Sequence, residues 1–177
     1  MLTMRAGLTE YITTQALGPA HAPIQFKTNP TRRILVVDDE PDMRSFNAEV
    51  LKDFGYHVDT AEDGLAGWKA LHAVRHAPES YDLLITDHDM PGLTGLALVK
   101  NLRAARIVLP VIMATGRLPT DDLFIRYPWL PPAASLVKPY TIGQLLGTVK
   151  AVLRMSSGIH VGIKPPPNWP LAIGLQV

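Results

Sequence analysis

Cysteine is absent from the chain. That excludes disulfides, thiolate chemistry and zinc–thiolate sites. Long apolar runs are missing too. No stretch approaches the roughly 20 apolar residues that span a bilayer, and Met1 to Gly18 holds no apolar core of signal-peptide length. Charge of one sign is also lacking: 17 Lys and Arg against 16 Asp and Glu leave a formal net charge of +1. Neither nucleic acid nor a membrane is therefore expected as the main partner. These absences together fit a cytoplasmic protein. Proline is abundant instead, with 16 in 177 residues, and its placement marks where regular structure stops.

Residues 1–31 show no clear period. Thr9 to Leu17 has the apolar contacts for a short helix, but Gly18-Pro19, Pro23 and Pro30 break any regular structure after it. The stretch reads as a flexible extension. After Arg154 there is no acidic residue, and Lys164-Pro165-Pro166-Pro167-Asn168-Trp169-Pro170 favours an extended polyproline segment. Residues 155–177 read as a disordered Pro-rich tail, too short for a helix-turn-helix or an enzymatic output domain.

Between these ends the pattern is regular. Arg33 to Val37 is β-branched and apolar, and stops at Asp38-Asp39-Glu40-Pro41. A strand buried in a parallel sheet has this continuous apolar character. Pro41 suits a first helical turn, and Met43, Phe46, Val50 and Phe54 recur at helical spacing until Gly55. His57 to Ala61 is a second strand. Asp63-Gly64 opens a helix carrying Leu65, Trp68 and Leu71. Asp82 to Asp87 is a third strand, closed at once by Met90-Pro91-Gly92. Gly95 to Arg103 is helical, with Leu96, Val99 and Leu102 as its stripe. Pro110 to Gly116 and Ser135 to Pro139 are further strands, and Thr141 caps a last helix to Arg154. Prolines 119, 128, 131 and 132 confine a fourth helix to about Thr120 to Tyr127. Five alternations of strand and helix predict an α/β fold: a five-stranded parallel sheet, doubly wound, with helices on both faces and an irregular fourth helix.

Four strands end in a reactive side chain, and parallel strands put those ends on one edge, where such sheets place their chemistry. Asp38, Asp39 and Glu40 follow the first, Asp87 ends the third, Thr115 the fourth and Lys138 the fifth. Carboxylates gathered there would repel unless a cation shared them. Mg2+ is the natural choice, since it takes oxygen ligands from one or two carboxylates plus phosphate. Asp87 is then a candidate nucleophile toward a phosphoryl group, whose oxygens Mg2+, Lys138 and Thr115 would neutralise. His88 reads as a rim residue beside it, and His57, His72, His76 and His160 lack ligand spacing.

Ile34-Leu35-Val36-Val37-Asp38-Asp39-Glu40, Leu84-Ile85-Thr86-Asp87 with Met90-Pro91-Gly92, Pro110 to Thr115 and Val137-Lys138-Pro139 closely resemble the receiver domain of two-component response regulators, a flavodoxin-like fold. The likeness spans about Arg32 to Arg154. It implies a phosphorelay switch in which Asp87 accepts phosphate from a sensor histidine kinase or phosphotransfer protein. It also implies Mg2+ held by Asp38, Asp39, Asp87 and the backbone carbonyl of Asp89, contact of Thr115 and Lys138 with the phosphoryl group, and a cis Lys138–Pro139 bond. Output would be protein–protein binding, phosphate relay or competition for kinase phosphate, with no enzymatic turnover beyond self-catalysed transfer to Asp87 and autodephosphorylation. Positions said to tune dephosphorylation are Asp89 and Arg117, which could pair across the site mouth. The switch position three before the lysine, often aromatic in the family, is Ser135, which puts an aromatic switch coupled to Thr115 in doubt. Asp87-His88-Asp89 also resembles the D-x-D of haloacid-dehalogenase-like phosphatases. Against this, Pro91 sits where that motif has Thr or Val, and Asp38-Asp39-Glu40 is left unexplained. A pseudo-receiver, folded alike but unphosphorylated and used for binding, is the third possibility.

Overall fold

The structure, a computed structural model, describes residues 32–74, 80–117 and 130–156. Short apolar, β-branched runs form five strands: β1 Arg33–Val37, β2 His57–Ala61, β3 Leu83–Asp87, β4 Val111–Thr115 and β5 Ala134–Val137. They pair in parallel in the order β2-β1-β3-β4-β5. The four described helices are α1 Pro41–Asp53, α2 Gly64–Ala73, α3 Gly95–Ala104 and α4 Ile142–Ser156. The expected extension 1–31, the irregular helix within 120–127 and the tail from 157 lie outside the described residues.

The pleat divides the core in two. Leu35, Val37, Leu84, Val111 and Met113 face α2 and α3, against Leu71, Leu98 and Leu102. Ile34, Val36, Leu83, Ile85 and Ile112 face Leu51, Leu145, Leu146 and Val149 of α1 and α4. β3 is buried along its whole length and pairs on both sides, Val36 beside Ile85 and Ile85 beside Ile112. Hence its sequence shows no polar alternation. The doubly wound order reverses between β1 and β3, and ligands of such sheets bind outside the strand C-termini at that reversal.

Helix ends follow local chemistry. Asp63 accepts the Ala66 amide at 2.6 Å and Thr94 the Ala97 amide at 3.2 Å. Thr141 and Gln144 satisfy each other's amides, a capping box that starts α4. Gly55 takes φ +85 just past α1, the left-handed conformation expected there. Two expected apolar stripes need correction. In α1 Met43 and Val50 of the expected stripe do pack, partly buried, against the core, but the fully buried residues are Asn47, Ala48 and Leu51, and Phe54, at the C-cap beyond the last regular turn, is 50% exposed with Lys150 over its ring. In α2, Leu65 points outward because Gly64 and Gly67 occupy the inward positions. A Cβ at Gly67 would lie 2.8 Å from Val37 Cγ2, so the helix sits closer to the sheet than a side chain allows.

Candidate functional site

β1 delivers Asp38 and Asp39 to the sheet's C-terminal edge, and β3 delivers Asp87 beside them. One carboxylate oxygen from each of the three lies within 4.8 Å of the others. Asp38 and Asp87 are buried, and Asp39 is half-buried. Asp38 Oδ1 accepts the Glu40 amide at 3.0 Å, and the Asp38 carbonyl accepts the Arg44 guanidinium at 2.6 Å. The acidic loop is thereby folded back onto the start of α1.

Lys138, one residue past β5, reaches across the edge. Its Nζ lies 3.0 Å from Asp87 Oδ1, 3.2 Å from Asp38 Oδ2 and 3.3 Å from Glu40 Oε1. Burial raises the Asp38 carboxyl above the usual range, more than the Glu40 amide and the Lys138 charge lower it. For Lys138, burial acts to lower the pKa, but the Asp87 hydrogen bond and the charges of Asp38 and Asp87 together raise it, so the ammonium is firmly charged. The Lys138–Pro139 bond is cis, as expected.

Thr115 is also buried at this edge. Its hydroxyl donates to the Arg117 carbonyl at 2.6 Å and accepts the Arg117 amide at 3.2 Å. The Arg117 residue is exposed. Asp89, its expected partner, is bonded instead to Nδ1 of His88 at 2.8 Å, with the Asp89 side chain 78% exposed. No ion pair joins Asp89 to Arg117 among the described residues. Ser135 lies half-buried on β5 opposite Met113, two residues before Thr115.

The loop after β3 is anchored on both sides. The His88 amide donates to the Ala114 carbonyl at 2.8 Å, and the His88 carbonyl accepts the Gly95 amide at 3.0 Å. Met90 and Leu93 are buried beneath it, and Gly92 has φ +72. Gly95 is packed so tightly that a Cβ there would collide with the Asp87 carbonyl oxygen. Three contributors escaped sequence reasoning: Gly95, Arg44 on the Asp38 carbonyl, and Tyr140, which is buried behind Lys138 and bonded to Asn47. Only Tyr140 carried a signal, as an aromatic two residues after the lysine.

The donor set is all oxygen, acidic and partly desolvated, which suits Mg2+. Comparison with known proteins agrees. Residues 34–150 match the response regulator receiver domain family. The transcriptional regulatory protein PrrA of Mycobacterium leprae is 37% identical over 69% of this chain and 50% of its own length. The chain thus spans about half the length of the curated relatives it matches. Among solved structures, the chemotaxis protein CheY4 of Vibrio cholerae is 31% identical with a TM-score of 0.59, covering 69% of this chain and 98% of its own. The response regulator TrrA of Thermotoga maritima, in complex with Mg2+ and BeF, is 31% identical with a TM-score of 0.57, covering 69% of this chain and 99% of its own.

Proposed function

The chain belongs to the response regulator receiver domain family, a family of signalling switches rather than classical enzymes, and from that premise we propose that Asp87 is its phosphoacceptor. The observation that carries this is the Lys138 ammonium 3.0 Å from Asp87 Oδ1, with Asp38 and Asp39 gathered beside it. The phosphoryl donor is a phosphohistidine of a sensor kinase or phosphotransfer protein. An Asp87 carboxylate oxygen attacks phosphorus, the P–N bond breaks, and the electron pair leaves with the donor imidazole.

Asp38, Asp39, Asp87 and the Asp89 backbone carbonyl would hold Mg2+, which would supply charge neutralisation at one phosphoryl oxygen. The Lys138 ammonium neutralises a second. The Thr115 hydroxyl serves a third, and to do so it must give up the Arg117 carbonyl it now holds. That exchange is the switch: it couples phosphorylation to the segment after β4. With Ser135 in place of a bulky ring, little side-chain volume on β5 resists the movement. Asp89 and Arg117 tune the lifetime by pairing once Thr115 has released Arg117, which narrows the path of water to the phosphoryl group.

In this reading residues 32–154 form the receiver unit, 1–31 and 155–177 flank it, and the unit works in the cytoplasm through protein contacts. The balanced net charge of +1 supports a protein rather than nucleic acid as its direct partner. Among the described residues no helix is long and apolar enough to cross a membrane.

The test is incubation with Mg2+ and acetyl phosphate, or with beryllofluoride. The expected result is an acid-stable, base-labile adduct, or a spectral shift, that Asp87→Asn abolishes. Steady hydrolysis of a small phosphomonoester would point instead to a phosphatase using Asp87 and Asp89. Absence of any response would point to a pseudo-receiver binding module.

A further inference from the structure

Two residues that the phosphoacceptor chemistry leaves unused meet in the core behind it. Asn47 projects inward from α1 and is 1% exposed; Tyr140 lies between β5 and α4 and is 8% exposed. The Asn47 amide donates to the Tyr140 hydroxyl at 2.9 Å, and that hydroxyl stands 3.2 Å from Asn47 Oδ1. The surroundings are apolar: Tyr140 belongs to the cluster of Leu51, Ile85, Leu136 and Leu145. An amide and a phenol are costly to place there unless each satisfies the other. Two apolar side chains of similar size would fill the space without that constraint. Stability alone does not call for the pair. What a polar pair adds is one defined geometry between two segments.

Those two segments both lead to the phosphoacceptor site. Tyr140 follows Lys138 by two residues, and Lys138 carries the ammonium that touches Asp87, Asp38 and Glu40. Asn47 sits on the helix whose N-cap is Glu40 and which directly follows Asp38 and Asp39. The hydrogen bond therefore closes a ring: acidic loop, α1, Asn47, Tyr140, Lys138 and back to the carboxylates.

We propose that Asn47 and Tyr140 are positioning residues, whose mutual hydrogen bond holds the connection after β5 against α1 and so sets Lys138 Nζ at the carboxylates. The proposal deepens, and rests on, the assignment of Asp87 as phosphoacceptor. It predicts a loss of reactivity when the bond is removed without loss of the fold.

The experiment uses the full chain with both partners replaced, Asn47→Leu with Tyr140→Phe, so that no polar group is left buried and unpaired. Urea unfolding serves to verify that the double variant stays folded. If either single variant unfolds, the double variant still carries the test. The first readout is acylation of Lys138 by limiting acetic anhydride, resolved by peptide mass spectrometry against exposed Lys69. Lys138 is expected to label severalfold faster in the double variant. The second is the rate of adduct formation from acetyl phosphate at saturating Mg2+, expected to fall about tenfold, as a misplaced charge in a group-transfer site costs. Lys138 labelling equal to the parent's overturns the proposal, whatever the adduct rate. A parent that forms no adduct at all overturns the phosphoacceptor assignment instead, and the labelling ratio still decides the positioning role.

Discussion

Lys138 Nζ lies 3.0 Å from Asp87 Oδ1 while also touching Asp38 and Glu40, so one ammonium serves carboxylates from three different residues. Asp38 and Asp87 are almost fully buried, and both lie directly against that cation.

Replacing it by an uncharged side chain of similar length, Lys138→Met, leaves the acidic cluster uncompensated. Stability without divalent ions is expected to drop by about 3 kcal/mol, the scale of a broken buried pair. Added Mg2+ should recover more stability in the variant than in the parent. Urea titrations with and without Mg2+ measure both effects, and equal Mg2+ gains would contradict the shared-cation picture.

Gly95→Ala tests how closely α3 approaches Asp87. The new methyl would collide with the Asp87 carbonyl oxygen and come 3.1 Å from Thr86 Oγ1. A cost of about 1–3 kcal/mol is expected from overpacking. Because the strain falls on Asp87 itself, adduct yield with acetyl phosphate should fall as well. Loss of stability with full adduct yield would show that the displacement is taken up elsewhere.

Most of the fold was legible because buried parallel strands announce themselves: β1, β3 and β4 are apolar runs that stop at Asp38, Asp87 and Thr115. The site was legible for the same reason, since its side chains stand where those runs end. What was hidden depends on proximity rather than pattern. Phe54 fits a helical stripe by spacing, yet it falls past the last turn of α1 and faces solvent. Asn47, polar in sequence, takes an inward position because Tyr140 meets it from a segment 93 residues away. Gly64, Gly67 and Gly95 have no side chain to read, and their role is to let backbones approach.

At the opposite end of the sheet, Tyr81 donates to Asp59 at 2.9 Å under the Arg33 guanidinium. Burial, then the Asp59 hydrogen bond and charge, push its phenol up to about 12. The folded state thus holds this proton more tightly than the unfolded chain, whose tyrosine titrates near pH 10. The stabilisation is complete below pH 10 and is lost as pH rises toward 12. Between pH 9 and pH 11 the parent should lose about 1 kcal/mol from this group. Tyr81→Phe should lack that component, which urea titrations at the two pH values would reveal. An identical decline in both proteins would assign the alkaline loss to other groups.

Arg117→Ala addresses the proposed pairing with Asp89. Removing the guanidinium is expected to shorten the lifetime of phosphorylated Asp87 severalfold, with little effect on stability because Arg117 is exposed. Decay of a radiolabelled adduct gives the comparison. An unchanged half-life would leave Asp89 to the His88 ring that now holds it.

The Lys138–Asp38 contact joins residues 100 positions apart, and Asp87 enters from a third region of the chain. No local unit of this fold contains the whole site: β1 and β3 bring the carboxylates together, and the lysine that meets them comes from the segment after β5, at the sheet's edge. An ion held by the three carboxylates would bind only where β1 and β3 are paired, so its binding energy would oppose their separation. On the proposed reading, phosphate uptake then needs more than the ion: a copy whose β5 end has come away would keep the carboxylates but lack the ammonium that meets Asp87.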